Sequence, residues 1–110
     1  MALQHAKPGE PVDLRPLGAR LKTAKTAAII KSKNFEAVRL VVLAGTKIPP
    51  HKVPGNIMLH CLEGRVSLGL TDSSLLLSSG EWVYLDGSDV HSLEGIEDAS
   101  LLLTILLGQG

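Results

Sequence analysis

The sequence predicts an all-β domain, a sandwich or barrel of short strands. Three observations predict it. Apolar runs of strand length recur along the chain, and clusters of turn-forming residues separate them, at the spacing of about 8–12 residues that marks sandwiches and barrels. One segment, Arg65–Leu70, alternates apolar and polar residues with the period of a half-buried strand. No helix-period pattern of useful length appears, and no repeat or low-complexity segment interrupts the series.

The elements follow in chain order. Residues 1–18 carry Pro8, Pro11 and Pro16 with Gly9 and Gly18, which reads as an extended arm because proline removes donors and glycine adds backbone freedom. Residues 19–26 fit a helical turn or an irregular strand equally well. Ala27–Ile30 and Ala37–Leu43 are apolar runs with a turn signal, Lys31–Asn34, between them. Gly45–Pro50 reads as a break. Asn56–Leu62 is the next strand, closed by Glu63-Gly64, and Arg65–Leu70 follows it. Leu75–Leu77 and Glu81–Leu85 are bounded by Thr71–Ser74, Ser78–Gly80 and the loop Asp86–Asp89. Ala99–Leu107 is the last strand. The chain divides into an arm with lead-in strands, residues 1–26, and a barrel, residues 27–110, within one domain.

A chain of 110 residues that is 45% hydrophobic has enough apolar surface for one real core. Phe35, Trp82 and Tyr84 are its only aromatic residues, so the core must be Leu, Val and Ile. The single cysteine, Cys61, has no partner for an internal disulfide and implies a reducing compartment. No nearby base is evident for it, and Cys61 reads as a small buried apolar residue rather than a reactive thiol. The first residues lack the apolar stretch of a secretory signal. The late run Leu101–Leu107 is far short of the roughly 20 residues a membrane helix needs. The expectation is a cytoplasmic protein without a membrane partner. Net charge is zero but unevenly placed: residues 1–52 hold ten Lys/Arg against three acids, and residues 53–110 hold Arg65 against eight acids. The basic residues are scattered and lack interleaved aromatics, so the reading is of two halves that interleave and neutralise each other, not of a nucleic-acid surface.

From Gly45 onward the chain resembles the small single-domain cupins of the RmlC-like superfamily. Gly45, five residues, His51 and, further on, Gly64 fall at the spacing of the first cupin motif. Gly80 and His91 fall at the spacing of the second, and 15 residues separate Gly64 from Gly80, the short spacing of bacterial single-domain members. The resemblance spans about residues 37–107. It implies an antiparallel double-stranded β-helix, the jelly-roll barrel of the cupin fold. The departures fall on the metal site. Val53 stands where the second histidine belongs and Ile57 where the glutamate belongs, while Asp86, Ser88 and Gly95 replace Pro, Gly and Asn.

A working cupin centre gathers three His and one Glu around a divalent transition metal, and the resemblance carries over only His51 and His91 to those positions. His60 is a candidate third ligand only if a bulge reverses strand parity, since residues 57, 59 and 61 share the face opposite to 60. The expectation is therefore no cofactor, the alternative being Fe, Mn, Ni or Zn held weakly at His51, His91 and His60. Val53, Ile57, Leu59 and Val83, with Cys61, would line an apolar pocket under a histidine rim, or simply fill the barrel as small barrels do. Trp82 and Tyr84 share one face of their strand and would line that ligand cavity or cover an interface. No nucleophile–base arrangement, phosphate-binding glycine loop or paired cysteine is present. The functional expectation is a non-catalytic module for a small-molecule ligand or for regulation, as a homodimer. The alternative is a metal-dependent dioxygenase or isomerase with a non-standard histidine site.

Overall fold

The structure is a computed structural model, and it describes residues 6–51, 55–87 and 89–107. Val53 and Ser88 lie outside the described residues. Among the described residues, seven strands form one antiparallel sheet: β1 (Ala27–Lys31), β2 (Phe35–Val42), β3 (Lys47–His51), β4 (Ile57–Gly69), β5 (Ser74–Ser78), β6 (Trp82–Leu85) and β7 (His91–Leu106). A 3-10 turn, Gly18–Thr23, precedes them, which settles the open reading of residues 19–26.

The two longest strands, β4 and β7, run side by side from Ile57↔Ile105 to Gly69↔Ser92. β2 and then β3 pair with the other edge of β7. β6 and then β5 pair with the other edge of β4, and β1 lies outside β2. Register shifts between Cys61 and Val66 bend β4 against β7, as bulges do. The sheet thereby rolls on itself, so that Val42, Ile57, Leu59, Leu77, Leu85 and Leu93, from five different strands, meet in one buried cluster. The core is aliphatic, as the scarcity of aromatics requires.

The structure differs from the sequence reading in three places. The segment read as a break contains β3, despite Pro49 and Pro50. Proline gives no ladder donor, and here the register shifts between Ile48 and His51. The two strands expected around Glu63-Gly64 are one strand, because the chain bulges there instead of turning. The last strand starts at His91, not Ala99, since the charged residues Glu94, Glu97 and Asp98 obscured its alternation.

Residue parity sorts the side chains. Ile57, Leu59 and Cys61 are buried while Met58, His60 and Leu62 are half-exposed; past the bulges the buried positions become Val66 and Leu68. The parity does reverse, but only after His60. The arm lies over the outside of the sheet. Leu21 is its buried anchor, Lys22 reaches Asp98 at 3.7 Å, and the Ala6 N–H donates to the Ile29 carbonyl at 2.7 Å. The Lys22–Asp98 and Arg39–Glu63 pairs each join the basic half of the sequence to the acidic half.

Candidate functional site

At one end of the barrel β3 meets the start of β7, and His51 and His91 are directly opposed there. The chain enters β7 from a turn closed by the Asp89 N–H on the Asp86 carbonyl at 3.1 Å. His91 is 5% exposed, and its Nδ1 lies 3.4 Å from the Asp89 carbonyl. Beside it is a cavity of about 290 Å³, walled by Pro50, Leu70, Thr71, Val90, His91 and Ser92. A second hollow of about 190 Å³ adjoins it, shares Pro50 and Ser92, and adds Lys47 and Glu94 at its rim. A buried imidazole among mostly apolar walls has the composition of a small-molecule site.

The other residues singled out from the sequence do not gather there. Ile57 and Leu59 are 1% exposed and belong to the packed core, with Val83 packed against it. These three fill the barrel. Trp82 and Tyr84 are 58% and 50% exposed and point outward, as alternation from Val83 demands. His60 stands opposite Trp82 on one side and Leu102 on the other, on the outer face, away from His91. Cys61 is fully buried, and burial pushes its thiol pKa up, so it is not poised as a thiolate. Among the described residues no three His, Cys, Asp or Glu side chains are grouped to hold a metal ion. The donor set does not fit a four-ligand centre, since Ile57 offers a hydrocarbon side chain where the resemblance places a carboxylate.

One functional group escaped the sequence reading. Glu63, outward from the β4 bulge, accepts the Leu17 N–H at 3.0 and 3.1 Å, the Gly18 N–H at 3.1 Å and the Ser100 hydroxyl at 2.5 Å. Arg39 Nη2 lies 3.6 Å from it, and the two side chains are 13% and 12% exposed. Burial raises the Glu63 pKa, but the Leu17 amide, the Ser100 hydroxyl, the Gly18 amide and the Arg39 charge together hold it below its ordinary value. An acid before a glycine reads as a turn residue, and its hydrogen-bond partners lie 37 or more residues away in sequence, so no local signal marks it.

A single antiparallel sheet rolled about two long central strands, with a histidine beside its open end, is a double-stranded β-helix, the fold of the RmlC-like cupins. Among solved structures, the chain is similar to a cupin superfamily protein from Desulfitobacterium hafniense (TM-score 0.77, 13% identity, 98% of this chain and 100% of the other). It is also similar to an RmlC-like cupin protein from Desulfovibrio desulfuricans (TM-score 0.74, 20% identity, 88% and 96%). A third is an RmlC-like cupin family protein with a double-stranded β-helix fold from Methanocaldococcus jannaschii (TM-score 0.73, 16% identity, 89% and 93%). At these identities the likeness is one of fold. No protein-family model matches the chain, and no curated protein matches it. Among the described residues no helix is long and apolar enough to cross a membrane.

Proposed function

We propose that the protein is a non-catalytic cupin-fold module that binds a small, partly apolar molecule in the cavity beside His91. The observation that carries this reading is the buried His91 imidazole against that cavity, in a barrel whose interior is otherwise filled by Ile57, Leu59 and their neighbours. Imidazole can both donate and accept a hydrogen bond, and so orients a ligand that the apolar walls hold. Thr71 is exposed at the cavity rim, so Thr71→Trp should plug the cavity without touching the core. Native mass spectrometry of untagged protein is expected to show a small-molecule adduct that Thr71→Trp loses at unchanged melting temperature. Absence of any adduct, or its retention in the plugged variant, rejects the reading.

A second reading rests on the opposed positions of His51 and His91: a divalent transition metal held by these two residues in a metal-dependent enzyme. Imidazole suits Fe, Mn, Ni and Zn. Elemental analysis of the same untagged sample decides between the two, a stoichiometric metal favouring the second.

We further infer that two copies associate through the outer face of β6 and β4. Trp82 and Tyr84 stand exposed there beside half-buried Met58, and half-buried Leu102 lies across β4, a composition enriched at interfaces. Trp82 is the sole tryptophan and reports on this face directly. Its emission is expected to shift to shorter wavelength as concentration rises into the micromolar range, in step with a dimer mass by sedimentation, and Tyr84→Glu should abolish both changes. A monomer mass with quencher-accessible Trp82 at all concentrations refutes the interface.

A further inference from the structure

We propose a second ligand site, outside the barrel and independent of His91, between the arm and the outer face of β1 and β2. It takes a small organic carboxylate, with the head on the guanidiniums of Arg15, Arg20 and Arg39 and a short aliphatic body among Val12, Leu14 and Ile29.

Two cavities lie side by side under the arm. One, of about 470 Å³, is walled by Arg15, Arg20 and Arg39 against a single acid, Asp13. The other, of about 360 Å³, is walled by Val12, Leu14, Ala28 and Ile29, with Lys7 and Glu10 also on its lining. Arg39 and Asp13 line both and form the seam between them. A positively charged chamber opening into one with an aliphatic wall, where Lys7 and Glu10 offset each other's charge, matches an amphipathic acid.

The hydrogen-bonding of Arg39 points the same way. Its Nη2 donates to the Arg15 carbonyl at 2.7 Å, with Ser100 Oγ at 3.4 Å. Glu63, at 3.6 Å, is too far to accept a hydrogen bond, because its oxygens already receive Leu17, Gly18 and Ser100. Arg39 Nε is buried with no acceptor, the one such side-chain atom among the described residues. Guanidinium presents its donors in a rigid fork that carboxylates match in pairs. A small rotation of Arg39 at the seam would give an incoming carboxylate that unused edge.

Asp13 behaves as a stand-in for the ligand head. Its carboxylate takes Arg15 Nε at 3.0 Å and Nη2 at 2.8 Å. Hydrogen bonds from the Arg15 side chain, then from its backbone, keep it ionised well below the usual carboxylate range. Both partners are largely exposed, at 85% and 60%, and exposed pairs of this kind exchange readily with solvent and with competing ions. The roof is anchored at both ends, by Ala6 on Ile29 and by Leu17 and Gly18 on Glu63, so little of the arm has to be ordered when a ligand enters.

The test is calorimetric titration of the full chain with hexanoate, hexanol and inorganic phosphate. Hexanoate is expected to bind, and Arg15→Ala and Arg20→Ala each to weaken it about tenfold, the loss of one charge-assisted contact. Both arginines are exposed, so these variants fold even where an Arg39 variant does not. Asp13→Asn should bind hexanoate more tightly, and Asp72→Asn, an equal charge change outside both cavities, should bind it as the wild type does. No hexanoate binding at millimolar concentration, or binding that the arginine variants leave unchanged, overturns the proposal. Phosphate binding as tightly as hexanoate shows a plain oxyanion site, and hexanol binding as tightly shows a plain apolar one; either overturns the carboxylate assignment.

Discussion

Glu63→Ala is expected to destabilise the protein by about 3–5 kcal/mol, the range for removing one partner of a buried charge pair, and to detach the arm. The substitution takes from Arg39, whose side chain is 13% exposed, the carboxylate it faces at 3.6 Å. It also leaves the Leu17 and Gly18 amides and the Ser100 hydroxyl without their acceptor, each a polar group whose partner is not replaced. At about 4 °C per kcal/mol for a domain near this size, the melting temperature should fall by about 12–20 °C. Glu63→Gln keeps the shape but loses the charge and should lie between the two. Acid provides an independent check. Because the folded-state pKa of Glu63 is lowered from 4.5, the unfolded chain binds more protons just below that value. The contribution of Glu63 is therefore complete above about pH 4.5 and is lost as pH falls through the folded-state value. Glu63→Gln should remove that part of the acid slope. Hydrogen exchange gives the spatial readout: the Leu17 and Gly18 amides should lose protection while the β4–β7 ladder keeps it. A Glu63→Ala protein within about 1 kcal/mol of wild type, inside the range of ordinary surface changes, with unchanged exchange at Leu17, would show that the arm is held by Leu21 alone.

How much of this was legible in the sequence depends on the distance over which each feature is encoded. β1, β2, β5 and β6 were readable because apolar runs and adjacent turn residues define them locally. β3 was not, since two prolines argue against a strand unless a bulge absorbs them, and the bulge is visible only in the pairing with β7. The N-terminal part of β7 was hidden for a related reason: its outward positions carry acids and its inward ones include Gly95. Parity correctly set Trp82 and Tyr84 against Val83 and His60 against Ile57. Which face turned inward was a tertiary fact, fixed when Ile57, Leu59 and Cys61 joined the core. His91 could be picked out because glycine spacing located it. Glu63 and the cavities under the arm could not, because they depend on residues 13–20 folding back over strands far along the chain.

The motif glycines separate two kinds of structural demand, and a pair of substitutions measures the difference. Gly45, Gly64 and Gly80 all have positive φ, at 84°, 80° and 89°, the left-handed region that any Cβ disfavours. At Gly80 a Cβ would meet nothing within 4 Å. Gly80→Ala should therefore cost only backbone strain, about 1–2 kcal/mol. At Gly64 a Cβ would be driven into the Asp98 carbonyl oxygen and lie 2.8 Å from Ala99 Cα. Those are backbone atoms of β7, and β7 is pinned by β2 at Val42↔Ala99 and by β4 at Glu63↔Ser100. The Gly64 carbonyl also accepts the Ser79 N–H at 3.1 Å, so a shift of β4 away from β7 would loosen the turn into β6. With neither neighbour free to yield, Gly64→Ala should cost about 3–5 kcal/mol, strain and overpacking together. Urea unfolding of the two variants side by side should give a midpoint loss at least twice as large for Gly64→Ala. Equal losses would mean that β7 gives way at Asp98, and that the tight approach of the central strands is not what the glycine preserves.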